Sequence, residues 1–586
     1  MSAVRIANAS GFYGDRLAAM REQLVGGDVD YVTGDYLAEL TMLILGRDQL
    51  KDPSLGYAKT FLRQLQDCLG LAVERGVRIV SNAGGLNPAG LAARIEQLAQ
   101  DVGLQVSVAY VDGDDLRSVA TEFGFGNALT ANAYLGAFGI AEALRREADI
   151  VVTGRVTDAS LTVGPAIAAH GWGRDDLDEL AGALVAGHVI ECGAQATGGN
   201  FSGFDELVPG VRAGFPIAEV AADGSSVITK HPGTGGAVTV DTVTAQLVYE
   251  IGSPAYLNPD VVARLDTARI SPVDEDRVRI DGVRGGAPPP TTKVCLNHLG
   301  GYRNSADFVL TGLDIERKAE LLRKQLTAAL SSDPPQAVTW RLDQVASQDP
   351  QTQWAATSLL RCHVRDEREA PVGRAFSSAA VELALASYPG FTTTAPPSRA
   401  TPFGIYRAAY AEQSRVPHRV HIDGDTVDIP APPRTAPAGP PAPAMTPATI
   451  DGPTRRAPLG SVAYARSGDK GGDANVGVWI PAEHPARDRA FAWVVGLLTP
   501  ARLRELLPET ADLDIEVWPL PNLYAVNVVT HGLLGDGVAA STRFDPQAKA
   551  LGEWLRARVV DIPEELLAPH EVLRSSVAPI LREDPA

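Results

Sequence analysis

The chain has 586 residues and a formal net charge of −19, with 45% hydrophobic and 21% charged residues. Its length is several times that of one typical domain and its composition is that of globular proteins, so a lone small module and a chain disordered throughout are both excluded. The acidic balance repels polyanions and sets nucleic acid aside as a partner, while a few gathered cations or helix N-termini leave a small anionic ligand open.

The N-terminal MSAVRIANASGFYGD lacks a basic stretch leading into an apolar run, and no segment has the 18 or more apolar residues of a membrane span. A cytoplasmic protein, neither exported nor membrane-bound, is expected. Cys68, Cys192, Cys295 and Cys362 stand far apart without a CxxC pair, which suits a reducing compartment and suggests neither a disulfide framework nor a zinc ribbon.

Over about the first 170 residues a short β-branched run, a polar Gly/Asn/Asp turn and an amphipathic segment recur five times, the pattern of βα units in a mostly parallel sheet. Val4–Ala7 leads into SGFYGDR and a helix from about Asp15, and Val29–Val32 leads into TGDYLAELTMLIL. Val77–Val80 leads into SNAGGLNPAGL, where Pro88 suits a first helical turn. Val106–Val111 leads into DGDD, and Ile150–Thr153 leads into GRVTDAS. From about 185 to 300, frequent glycines and short alternating runs predict a β-rich insertion, and leucine spacing over 314–330 predicts a surface helix.

Residues 430–458 hold ten of the 42 prolines with almost no large apolar side chains, a composition that cannot form a core. The predicted organisation is a large α/β domain over 1–428, a linker over 429–458, an α+β domain over 459–560 and a tail over 561–586.

In an open parallel sheet, ligands bind beyond the carboxyl ends of the strands, where all five polar turns would fall. Asp15, Arg16, Asp35, Glu39, Asn82, Asn87, Asp112, Asp114, Arg155 and Asp158 are therefore candidates to meet there. Gly84 and Gly85 permit close backbone approach, and with Asn82, Asn87 and the amides of the next helix they could hold a phosphate or carboxylate; the alternative is that they only shape a turn. Arg155 and Arg16 could hold substrate anions, and Asp158 could move a proton or merely cap a helix.

In HVIECGAQATGG, His188 and Glu191 offer an acid or base and Cys192 a thiolate, unless Cys192 is simply a small buried side chain. Lys230, beside His231, could hold an anion or sit at an exposed hairpin tip. Ser467 and Lys470 in SGDKGGDAN form an S-x-x-K pattern, which could supply a serine nucleophile or, more simply, a glycine loop against the larger domain with Lys470 holding an anion. No HExxH, CxxC or histidine cluster supports a dedicated metal site, although rim carboxylates could hold Mg²⁺. No GxGxxG in a strand–helix context and no GxxxxGK[ST] implies NAD or ATP.

The ordered motifs SGFYGDR, DYLAE, SNAGGLNP, TGRVTDAS, HVIECGAQATGG, ITKHPGTGG and QLVYEIGSPAY resemble the acyclic terpene utilisation protein family. SGDKGGDANVGV, followed by PNLYAVNVVTHGLLGDGV, is similar to the ferredoxin-fold domain that accompanies it. The resemblance implies a role in breaking down acyclic terpenoids through branched acyl-CoA intermediates, by a lyase or hydratase step with CoA as part of the substrate; the residues themselves lead us to expect no further cofactor. It supplies no catalytic residues, so the candidates remain those read from the turns: Glu191, Asp158, His188 and Cys192 for chemistry, and Arg16, Asn82, Gly84, Gly85, Asn87, Arg155, Lys230 and Lys470 for binding. A small anionic substrate and a homo-oligomer are expected. The competing readings are a non-catalytic subunit of an acyl-CoA-processing complex, with the C-terminal domain as its docking element, and a hydrolase using Cys192 or Ser467.

Overall fold

The computed structural model describes residues 3–206, 212–343, 347, 349–437, 450 and 452–567. The five β-branched runs form strands β1 (Val4–Asn8), β2 (Tyr31–Gly34), β3 (Arg78–Ser81), β4 (Val108–Asp112) and β5 (Ile150–Thr153). They pair in the order β1-β2-β3-β5-β4, all parallel, with Ala7 opposite Val32, Val32 opposite Ile79, and Val151 opposite both Val80 and Ala109. Helices Lys59–Arg75, Pro88–Asp101, Ser160–His170 and Leu177–Ile190 contribute the buried side chains packed around these strands, and β2 and β5 are buried throughout, as a sheet covered on both faces requires.

The sheet does not stop there, and it is mixed rather than mostly parallel. Strands β6 (Pro216–Val220), β7 (Ser226–Lys230), β8 (Arg269–Asp274) and β9 (Arg277–Asp281) extend it beyond β1, and β10 (Arg419–Ile422) and β11 (Asp425–Asp428) extend it beyond β4. Every one of these outer pairings is antiparallel. Within the hairpins β6–β7, β8–β9 and β10–β11 the reason is connection length: a tight turn such as that between Val220 and Ser226 can only reverse the chain, whereas parallel neighbours need a helical crossover. The first helix also begins later than expected, at Ala19 rather than near Asp15.

The chain divides into two compact units, one of residues within 1–296, 407–538 and 547–586, the other of residues within 297–406 and 539–546. The second unit has its own interior, in which Phe308, Leu310, Leu360, Cys362 and Val364 of a sheet meet Leu322, Leu326 and Phe376 of helices Ile315–Ala329 and Arg374–Glu382.

The C-terminal segment belongs to the first unit. Its four antiparallel strands run in the order Tyr464–Lys470, Asp473–Trp479, Ala525–Thr530, Ile515–Leu520, and one side packs on helices Arg487–Leu497, Pro500–Leu506 and Leu551–Ala557. Thr454–Pro458 pairs with Val559–Pro563. Of the proline-rich stretch, residues 438–449 and 451 lie outside the described residues, as do 568–586 of the expected tail. Its opening residues lie on the first unit: Arg174 Nη2 donates to Pro430 O at 2.7 Å and Ala436 N to Pro288 O at 2.9 Å.

Candidate functional site

Arg155 is the second residue beyond β5, in the middle of the parallel strands, and its side chain is only 3% exposed. A buried guanidinium must be paired and hydrogen-bonded, and the neighbouring turns do this. Its Nη1 lies 2.8 Å from Asp158 Oδ1 and donates to Leu37 O at 2.8 Å, and the guanidinium stacks over Tyr134 at 4.2 Å from the ring centroid. Its backbone N–H donates to Asp114 Oδ2, which also accepts from Asn132 Nδ2. Gly154 is required there, since a Cβ would stand 2.2 Å from Asp114 Oδ1. Burial raises the Asp114 carboxyl to about 7 against these hydrogen bonds.

Asp35, just beyond β2, accepts from Asn82 Nδ2 at 2.6 Å and from Leu37 N at 3.0 Å. Burial and then the Asp158 charge push its carboxyl well above the usual range. Asn82 in turn accepts from Tyr36 N. The turns after β2, β3, β4 and β5 are thus linked through their side chains around Arg155.

A second wall comes from helix Leu177–Ile190, which carries His188 in its last turn and places Glu191 directly after it, with His188 Nδ1 and Glu191 Oε1 3.2 Å apart. Burial, then repulsion from Asp158 and Glu250, holds the Glu191 carboxyl well above its ordinary value. Burial, then Lys470, brings His188 down to about 4. Burial thus favours the uncharged form of each, and the two share one hydrogen bond. Arg155 Nε and Glu191 Oε2 are buried without a hydrogen-bond partner. Buried polar atoms are usually satisfied within a protein, which makes these two candidates to meet a ligand's polar groups. Cys192 adjoins them, but burial and the nearby Glu191 and Glu250 charges push its thiol well up, away from the thiolate a nucleophile needs.

The third wall includes a hairpin of the C-terminal domain. Its strands Tyr464–Lys470 and Asp473–Trp479 lie against Val248–Glu250, where Asn475 accepts from Glu250 N at 2.7 Å and donates to Val248 O at 2.9 Å. Glycine allows this approach: a Cβ on Gly468 would stand 2.4 Å from the Tyr249 ring, and one on Gly477 2.2 Å from Val248 Cγ2. Trp479, Leu520 and Leu523 join the main core. The hairpin thereby places Lys470, whose Nζ donates to Glu250 O and lies 5.8 Å from the centroid of Tyr256. Lys470 keeps solvent access at the rim of the group, yet burial and then the Lys293 charge lower its pKa. Lys293 itself stands 3.1 Å from Glu39 Oε1. Burial opposes ionisation of Glu39, but Lys293 and Arg155 outweigh it and hold the carboxyl at about 2. Asp469 goes the other way, to about 8, through burial and then the Glu250 and Glu39 charges.

Of the residues singled out from sequence, Asn82, Arg155, Asp158, His188, Glu191, Cys192 and Lys470 come together. Others serve the protein itself. Asn87 caps the helix Pro88–Asp101 by accepting from Gly90 N, and a Cβ on Gly84 or Gly85 would strike Thr153 O at 2.5 Å or Leu45 Cδ1 at 2.4 Å. The glycines of NAGGLNP thus admit neighbouring protein atoms rather than a phosphate. Arg16 pairs with Glu22 and donates to Ala213 O, and Lys230 pairs with Asp276. Ser467 Oγ is held between Lys549 O and Gly552 N. Tyr134, Glu250, Tyr256, Lys293 and Asp469 escaped sequence reasoning. Only the turn glycines around SGDKGG hinted that Asp469 lay at a close contact; Lys293 follows a proline run that signals nothing chemical.

Among the described residues, no three His, Cys, Asp or Glu side chains are grouped to hold a metal ion, and no helix is long and apolar enough to cross a membrane. No curated protein matches the sequence. Family models do: residues 4–422 match the acyclic terpene utilisation family protein AtuA, and residues 457–561 match the AtuA ferredoxin-like domain. These two matches span both sides of the polar centre, the strand turns and the Lys470 hairpin alike, and the chain belongs to the acyclic terpene utilisation family.

Proposed function

We propose that the chain is a catabolic enzyme acting on a branched or acyclic-terpenoid acyl-CoA by a lyase or hydratase step. The observation that carries this reading is the buried, hydrogen-bonded Glu191–His188 pair, shifted toward its uncharged forms and within the influence of the Arg155 and Lys470 charges, with unpartnered buried atoms on Arg155 and Glu191. Hydration of an α,β-unsaturated thioester and cleavage of a 3-hydroxyacyl thioester both pass through negative charge on the thioester oxygen. Each needs a donor for that oxygen and a group to move one proton.

Glu191, its carboxyl held toward the protonated form by burial, would protonate the α-carbon, and His188, with its low basicity relieved by the charge left on Glu191, would accept the proton from water or from the 3-hydroxyl. In hydration the water oxygen bonds to the β-carbon; in cleavage the bond between the α- and β-carbons breaks. Lys470 and the free Nε–H of Arg155 would hold the thioester oxygen, and Asp158 keeps Arg155 in place. A hydrolase using Cys192 or Ser467 has less support, because the thiol is held protonated and the hydroxyl is engaged in the C-terminal core.

Incubating the full chain with saturated, unsaturated and 3-hydroxy branched acyl-CoAs and following products by mass spectrometry tests the reading. Gain or loss of water, or release of a shorter thioester, is expected. Absence of both turnover and saturable binding across the panel would overturn it.

A further inference from the structure

The second unit carries a surface that the chemistry above does not use. In its antiparallel sheet, Arg303 on strand Thr291–Thr311 stands opposite Arg365 on strand Thr357–Asp366, which in turn stands opposite Ala337 on strand Ala337–Asp343. The next rung on the same face is Ser305, His363, Thr339. The rung beyond is Asp307, Arg361, Arg341, where the charges are matched: Arg361 Nε lies 3.2 Å from Asp343 Oδ2 and 3.9 Å from Asp307 Oδ1, and Arg341 also pairs with Asp343.

The first two rungs therefore present two guanidinium groups, two hydroxyls and an imidazole, with no carboxylate. Like charges directly opposite one another on a sheet destabilise it, and burial with the Arg365 charge already lowers the basicity of Arg303. Arg303 Nη1 donates to Ala539 O at 2.7 Å and Arg365 Nη1 to Ala540 O at 3.3 Å. Each guanidinium has five N–H donors, so these carbonyls use a fraction of them and neutralise no charge. Arg365 also leans on the Phe403 ring, 5.7 Å from its centroid, and the short Ala337 side chain stands beside it. Ser305 and Thr339 are exposed, so the face is reachable from solvent. On a chain of net charge −19, an unmatched arginine pair flanked by hydroxyl donors is the complement of a compact dianion.

We propose that the Arg303–Arg365 face binds a phosphate group of a small molecule. The inference does not depend on the acyl-CoA reading, although that reading supplies one source, the phosphates of CoA; free inorganic phosphate is the other.

Equilibrium binding to the full-length protein, with adenosine 3′,5′-bisphosphate and inorganic phosphate as separate probes, tests it. Saturable binding of the bisphosphate well above that of phosphate assigns the site to a nucleotide phosphate; equal binding assigns it to the free ion. Arg303→Ala and Arg365→Ala should each weaken binding about tenfold, the loss of one charge-assisted contact. Thr339→Asp removes no buried contact and adds a competing carboxylate at an exposed position, so it should weaken binding with an unchanged melting temperature. No saturable binding by the wild type, or wild-type affinity in the arginine variants and Thr339→Asp, would overturn the proposal. Turnover of an acyl-pantetheine, which carries no phosphate, reports on the Glu191 site alone, so failure of one idea is told apart from failure of the other.

Discussion

Glu191 and His188 illustrate how burial, not sequence spacing, sets chemistry. Three residues apart at the end of a helix, they would be an ordinary acid and an ordinary base in water; enclosed together, each is shifted toward its neutral form and they share a hydrogen bond. Replacing Glu191 with Gln keeps the shape and adds no charge but removes the transferable proton, so Glu191→Gln should melt within a few degrees of the wild type while turnover on the responsive acyl-CoA falls by about 10²–10⁴-fold. Arg155 behaves differently because it is charged and buried. Arg155→Ala leaves Asp158 and Asp35 without their counter-charge and should cost about 3 kcal/mol in urea unfolding, the low end for a broken buried pair because the Asp158 side chain keeps 30% exposure. In Arg155→Ala/Asp158→Asn part of that loss should return, since no carboxylate is then stranded.

Among the elements, the two glycine-rich turns that drew notice in the sequence have opposite uses. NAGGLNP is filled by its own surroundings and starts a helix, whereas SGDKGG brings a second domain against Val248–Glu250 and delivers Lys470. Composition could not separate them: glycine reports that something approaches closely, not whether it is protein or ligand. The βα units were legible because β-branched runs, polar turns and a helical period repeat locally. The antiparallel wings were not, since which edge a hairpin joins is decided by packing far along the chain. Asn475 tests the docking. Asn475→Ala strips a buried acceptor from Glu250 N and a donor from Val248 O, which should cost about 2–3 kcal/mol in denaturant unfolding and lower turnover through the displaced Lys470.

At the scale of the whole molecule, the polar centre stores charge-state energy that pH should reveal. Asp114 and Asp469 hold protons to about 7 and about 8, whereas in the unfolded chain aspartates are ionised above about 4. The native state thus binds more protons, and stability is greatest on the acid side and falls as pH rises through these values. His188 has its opposite effect lower down, between about 4 and its unfolded value near 6.5, where stability rises with pH. Between roughly pH 6.5 and 8 only the carboxyls act, so the melting temperature should fall across that window, and Asp469→Asn should flatten the decline. The seating of the C-terminal domain gives a second expectation. Because Trp479, Leu520, Leu523 and Ala525 complete the main core, deleting residues 459–586 should yield a protein that aggregates on size-exclusion chromatography and melts without a cooperative transition.

By itself the sequence determined the local grammar: five strand–turn–helix units, a C-terminal α+β segment, the motifs of the acyclic terpene utilisation family, and the pool of residues from which a site could be drawn. These follow from backbone preference and hydrophobic period, which act over a few neighbours. Only the tertiary structure decided that Arg155, Glu191 and Lys470 meet while Arg16, Asn87 and Lys230 spend their polar groups on the protein, and that residues 297–406 fold as a separate unit. Those outcomes depend on burial and on contacts between residues hundreds of positions apart, and it is burial that turns an unremarkable carboxyl or imidazole into one poised to move a proton.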